Sequence, residues 1–219
     1  MGRNPSNDPI RPLNLARNIY KYSYTRMYTL SSLYFKFSSM NSGKTSGLIQ
    51  AAYNYQERGM VPLIFTSALD TRYGENKVAS RVGLEMPAIP INQSDNILQK
   101  YAENAHDTIC AIFVDEAQFL TREQVLQLAE LVDTRDIPVL CYGLRSDFLG
   151  NLFDGSAALL AFADKIEEVK SICHCGRKAT MNARIIDDMS QVAIGGNESY
   201  VSMCRKHFLE HIAKKNKGA

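Results

Sequence analysis

The chain has 219 residues, 45% of them apolar and 22% charged, with a net charge of +2. That length holds one sizeable core and a small accessory module, and no apolar run approaches the ~20 residues of a membrane helix. The N-terminal stretch lacks the apolar segment of a secretory signal, and five cysteines in that setting do not describe a disulfide framework. A soluble, cytoplasmic protein without a membrane partner is expected.

Charge is unevenly spread. Residues 1–30 carry five Arg or Lys against one Asp, residues 205–219 carry five against one Glu, and the centre is acidic. Scattered basic residues beside an acidic centre do not make the basic face that nucleic acid needs, so no nucleic-acid partner is expected. Residues 1–30 hold Pro5, Pro9 and Pro12 without periodicity and read as a poorly ordered extension.

From Leu33 the pattern alternates. Leu33–Phe37, Val61–Phe65, Ile109–Val114 and Ile137–Cys141 have the length and content of buried strands, with Lys165–Ser171 as a further candidate. Cys110 and Cys141 fall inside two of these runs and read as small buried hydrophobes. Lys44–Arg58 sets Leu48, Ala51, Ala52 and Tyr55 on one helical face. Thr121 and Gln124 make a capping-box signature ahead of Val125, Leu128, Ala129 and Val132. Strands alternating with helices predict an α/β fold with a parallel sheet. The predicted division is a main α/β domain over 31–165, a small separate domain over 166–210, and a basic tail over 211–219.

Between the first strand and the first helix lies Ser38-Ser39-Met40-Asn41-Ser42-Gly43-Lys44-Thr45. That context defines a Walker A loop, in which backbone N–H groups cradle phosphate. Lys44 is then expected on the β- and γ-phosphates and Thr45 on magnesium. Ser38 replaces the usual first glycine, which is tolerable only where the backbone is not glycine-like. Ile109–Val114 ends in Asp115-Glu116, the layout of a Walker B segment. Asp115 is expected to hold magnesium beside the phosphates, and Glu116 to accept a proton from the acceptor. Asp115-Glu116-Ala117-Gln118 also reads as a helicase motif, with Glu116 activating water.

Cys173, Cys175, Cys204 and His207 form two close pairs separated by a long loop, a donor set suited to tetrahedral structural zinc. His174 is a less favoured substitute, and His106 and His211 are given no role. A metal there closes residues 176–203 into a stapled loop that a segment this small needs. A nucleic-acid-binding zinc ribbon explains the same residues, and a non-enzymatic zinc module is a third reading that leaves Lys44, Asp115 and Glu116 without a purpose.

Together these motifs resemble the cytosolic zinc-containing (type II) thymidine kinase family, in its bacterial branch. The resemblance covers about Leu33 to His207. It is carried by the loop at 38–45, Asp70-Thr71-Arg72-Tyr73, Val114-Asp115-Glu116-Ala117-Gln118-Phe119, Tyr142-Gly143-Leu144-Arg145-Ser146-Asp147-Phe148, Ile194-Gly195-Gly196-Asn197-Glu198-Ser199-Tyr200 and the paired metal ligands. Ser38 fits this branch. The resemblance implies transfer from ATP to the 5′-hydroxyl of thymidine, and of deoxyuridine, in pyrimidine deoxynucleotide salvage. Glu116 is then the general base, with Asp115 and Thr45 at Mg²⁺. Asp70, Thr71, Arg72 and Gln118 join the loop in binding ATP. Phe148 packs on the thymine ring, and Gln191, Val192, Ala193, Ile194, Gly195 and Tyr200 form the lasso around the base. A homotetramer, feedback inhibition by thymidine triphosphate in the acceptor site and structural Zn²⁺ are also implied.

Overall fold

The structure is a computed structural model; it describes residues 31–70, 74, 76–104, 109–186 and 199–217. Six parallel strands form the main sheet: β1 (Leu33–Ser38), β2 (Val61–Ser67), β5 (Ile89–Ile91), β6 (Ile109–Val114), β7 (Val139–Leu144) and β8 (Lys165–Glu168). Their spatial order is β5-β2-β6-β7-β1-β8, with every neighbouring pair parallel. Two antiparallel pairs sit beside it: β3 (Lys77–Ala79) with β4 (Glu85–Pro87), and β9 (Met181–Arg184) with β10 (Tyr200–Met203). Among the described residues the helices are α1 (Lys44–Gln56), α2 (Ile97–Asn104), α3 (Arg122–Arg135), α4 (Asp154–Phe162) and α5 (Arg205–Lys217), with a 3₁₀ turn at Ala117–Phe119. The expected α/β architecture is present.

Strand alternation sorts the core into two layers. Leu63, Phe65, Ile112 and Val114 face Val125, Leu128 and Leu159 of α3 and α4. Their neighbours Ile64, Ala111 and Phe113 face Leu48, Ile49 and Ala52 of α1, together with Val78 and Met86 of the β3–β4 hairpin. Both faces are covered, so these strands read as continuous apolar runs. Truncating a side chain such as Leu128 at this depth costs about 2–5 kcal/mol.

The capping box is present: Gln124 N–H donates to Thr121 Oγ1 (3.2 Å) and Thr121 N–H to Gln124 Oε1 (3.1 Å). Three expectations are corrected. The seventh strand starts at Val139, after Pro138, and continues to Leu144 because Gly143 and Leu144 still pair with Phe37 and Ser38. The eighth stops at Glu168, short of Ser171. Cys141 is buried, but Cys110 is only half-buried.

Candidate active site

At the carboxyl ends of the strands, where open α/β sheets bind ligands, lies a cavity of about 370 Å³. Its floor is the loop from β1 to α1. Ser38 is still the last residue of β1, whereas Asn41 (φ 61°) and Gly43 (φ 79°) take the left-handed conformation. A serine therefore meets no steric objection at position 38. Gly43 caps α1 without any side-chain hydrogen bond, in contrast to α3. The N-terminus of α1 faces the cavity, and the helix dipole there favours an anion. Lys44 Nζ folds back on the loop, donating to Ser38 Oγ and the Ser39 carbonyl at 3.0 Å each. Both the Ser38 and Ser39 side chains are buried beneath it.

Opposite, β6 delivers Asp115 and Glu116. Thr45 Oγ1 donates to Asp115 Oδ2 at 2.9 Å, so two hard oxygen donors from distant parts of the chain meet at the cavity wall. That donor chemistry fits magnesium. Burial and the charge of Glu116 push the Asp115 carboxyl up, to about 7, against the opposing pull of Thr45, the Glu116 N–H and Lys44. Glu116 takes a left-handed backbone (φ 50°), a conformation that costs a non-glycine residue about 1–3 kcal/mol and clusters at functional sites. Gln118 pins its side chain: Nε2 donates to Glu116 Oε2 (2.6 Å) while Oε1 accepts from Leu144 N–H (3.0 Å). Two glycines allow this close fit. A Cβ on Gly143 would stand 2.9 Å from Gln118 Oε1, and one on Gly155 would stand 2.6 Å from the Ala117 carbonyl.

The far wall comes from the loop after β7 and from the β9–β10 hairpin. Asp147 Oδ1 accepts from the N–H groups of Leu149 and Asn151, both at 2.9 Å, which sets the turn presenting Phe148. Phe148 and Tyr200 both line the cavity, as does Asp70. Below the hairpin, the ligand atoms of Cys173, Cys175, Cys204 and His207 all lie within 4.8 Å of one another. Cys173 Sγ and Cys204 Sγ are 3.4 and 3.5 Å from His207 Nδ1, and Cys175 Sγ is 3.9 Å from Cys204 Sγ. Bond lengths of ~2.3 Å to sulfur and ~2.0 Å to nitrogen in a tetrahedron give edges of roughly 3.5–3.8 Å, so the cluster has the dimensions of a metal site. His174 stacks on His207, ring centroids 4.2 Å apart, and lies outside the four-ligand group.

The family model described as Thymidine kinase matches residues 31–208. A thymidine kinase of Photobacterium profundum is 54% identical over 192 residues, spanning 84% of this chain and all of that protein. That of Salmonella typhimurium is 54% identical over 190 residues (84% and 93%), and that of Vibrio vulnificus 53% over 192 (84% and 100%). The chain belongs to the thymidine kinase family.

As an enzyme of that family it brings the loop 38–45, Asp70, Asp115, Glu116, Gln118, Phe148 and Tyr200 to one region, with the four cysteine and histidine ligands gathered nearby. Thr71, Arg72, Gln191, Val192, Ala193, Ile194 and Gly195 lie outside the described residues, as does His106. No described helix is long and apolar enough to cross a membrane.

Several residues in and around the cavity of this thymidine kinase family member carried no sequence signal. Arg184 is almost fully buried, its guanidinium carbon 3.8 Å from the Phe148 ring centroid, and its Nε donates to Tyr200 Oη (3.0 Å). It therefore backs both aromatic residues of the cavity. His211, given no role from sequence, meets the Arg184 carbonyl through Nε2 at 3.1 Å. Asn182 joins the hairpin to the phosphate loop: Oδ1 accepts from Met40 N–H (2.7 Å) and Nδ2 donates to the Ser146 carbonyl (3.3 Å). Ser202 Oγ donates to the Met40 carbonyl at 2.6 Å. A polar residue in a short β-run looks solvent-facing, and nothing local in Met181-Asn182-Ala183-Arg184 marks two of its members as buried.

Proposed function

We propose that this enzyme transfers the γ-phosphate of ATP to the 5′-hydroxyl of thymidine, and of deoxyuridine, yielding the monophosphate for pyrimidine deoxynucleotide salvage. One observation carries the reading. A single cavity is lined by the phosphate-loop Lys44 and Thr45, by the carboxylates Asp115 and Glu116, and by the aromatic Phe148 and Tyr200. In this reading donor and acceptor share that one cavity.

In this reading residues 31–165 hold the donor and 166–210 close over the acceptor. The loop N–H groups and Lys44 grip the triphosphate. Thr45 and Asp115 hold Mg²⁺, which when bound offsets charge on the phosphate oxygens. Glu116, kept in place by Gln118, takes the proton of the 5′-hydroxyl as that oxygen attacks. Phe148 lies against the thymine ring and Tyr200 closes the base site, with 191–195 completing the lasso. Cys173, Cys175, Cys204 and His207 hold structural Zn²⁺. The reading also includes a homotetramer, a cytoplasmic setting and inhibition by thymidine triphosphate.

The decisive assay offers γ-labelled ATP and a panel of nucleosides and scores labelled monophosphate. Thymidine is expected to be labelled, with turnover falling by about two to four orders of magnitude in Glu116→Gln while ATP still binds. Near-normal turnover of that variant removes Glu116 from the mechanism. Release of free phosphate stimulated by single-stranded DNA, without labelled nucleotide, replaces the reading with the helicase-type one.

A further inference from the structure

We propose that Arg81, at the tip of the β3–β4 hairpin, is a phosphate-binding residue of the donor site and holds terminal phosphate oxygens of the bound nucleoside triphosphate. This rests on the ATP-dependent reading above and adds a cation that no motif announces.

The hairpin is built to hold its tip still. Val78 and Met86 anchor its two strands in the core beneath α1. Ser80 N–H donates to the Leu84 carbonyl (2.8 Å), Gly83 N–H to the Ser80 carbonyl (3.0 Å) and Leu84 N–H to Ser80 Oγ (3.2 Å). Gly83 supplies the left-handed residue (φ 86°) that such a turn needs. Arg81 therefore leaves a closed turn in a set direction, and Nη1 donates to Asn41 Oδ1 in the phosphate loop. Asn41 is itself a left-handed residue of that loop, and both side chains line the cavity beside Lys44 and Thr45.

Charge gives the contact a purpose. Asp70, Asp115, Glu116 and Asp147 line the cavity, against Lys44, Lys77 and Arg81. Lys77 is paired with Glu85 at 2.8 Å along the hairpin stem. A triphosphate entering an acidic cavity needs cationic groups at its terminal oxygens, and a guanidinium matches phosphate geometry better than an ammonium does. Packing does not explain the residue: Arg81 is exposed and its neighbour Val82 is 74% exposed.

The test compares wild type with Arg81→Gln, which can still donate to Asn41 but has no charge, and with Arg81→Lys. In the thymidine assay, Arg81→Gln is expected to raise KM for ATP by about 10- to 100-fold, with KM for thymidine changed by about twofold or less. Arg81→Lys should fall between the two. Calorimetric titration with inorganic tripolyphosphate should show weaker binding to Arg81→Gln by a similar factor, a readout that loop destabilisation alone would not tie to charge. Wild-type ATP kinetics and tripolyphosphate affinity in Arg81→Gln overturn the assignment. If wild type proves inactive on thymidine but tripolyphosphate binding still depends on Arg81, the thymidine reading fails and the phosphate assignment stands.

Discussion

Among the described residues, the α3–α4 side of the sheet interlocks twenty buried residues in one apolar cluster, whereas the cluster around the cysteines holds Cys173, Ala179 and Cys204, with Met203 packed on them. At roughly 1.5–3 kcal/mol for each fully buried Leu, Ile, Val or Phe, the sheet is stable through packing alone. The described C-terminal residues have less packing of this kind. What they have instead is four ligands at metal-site spacing and a few bonds to the phosphate loop through Asn182 and Ser202. On this contrast the parallel sheet is the scaffold, and the β9–β10 hairpin is tied to it through Asn182 and Ser202 and stands beside a cluster that could hold a metal.

The sharpest way to break this contrast is to remove the metal. Stripping it with a strong chelator, or replacing Cys204 with Ser, is expected to raise KM for thymidine by about two orders of magnitude or abolish turnover, since such ligands and local folding are one equilibrium. The main thermal transition of the sheet should survive. Metal analysis of freshly purified protein must also find close to one zinc per chain. A variant that loses the sheet's transition along with the metal would show that the two regions are one cooperative unit.

Asn182 tests the seam between them. It is 3% exposed and gives the Met40 N–H its partner from β9. Asn182→Ala leaves a part-buried donor without that acceptor, at a cost of about 1 kcal/mol, and the penalty falls on the phosphate loop although the residue lies in the hairpin. ATP affinity is expected to drop about tenfold, with metal content unchanged. If thymidine affinity falls and ATP affinity does not, the seam does not transmit.

The same contrast explains what was legible beforehand. The strands at 33–38, 61–67 and 109–114 and the capped helix α3 follow from apolar runs and local hydrogen-bond chemistry, which sequence displays directly. Lys44 and Thr45 were legible because one strand–loop–helix geometry sets their spacing, and Asp115 and Glu116 because they end an apolar strand. The cysteines were legible because metal coordination demands donor types, not contacts. Arg184, Asn182 and Arg81 were not. Each owes its role to a partner 16 to 142 positions away, and their own neighbourhoods look like ordinary polar surface. The β3–β4 and β9–β10 hairpins went unseen because three- and four-residue strands are too short to show a period.

The smallest expected effect concerns protons, and here the two regions point in opposite directions. Burial opposes ionisation of Cys173, but the N–H groups of Cys175 and Cys204 and the His207 ring outweigh it and draw the thiol down to about 5. A metal there meets a ligand already ionised at neutral pH. Asp115 has the reverse problem, since burial and then Glu116 lift it to about 7. An acid raised in the folded state binds more protons than the unfolded chain does between its ordinary value of 3.8 and about 7. Its contribution to stability is therefore greatest below that window and is lost as pH rises through it. Magnesium demands the carboxylate, so nucleotide binding must release a proton and tighten as pH climbs towards about 7. Affinity for magnesium–ATP should improve several-fold between about pH 6 and about pH 7.5, with proton release read from calorimetry in buffers of different ionisation heat. A flat profile without proton release would mean that Asp115 is already ionised before nucleotide arrives, and that its hydrogen bond from Thr45 together with Lys44 outweighs its burial.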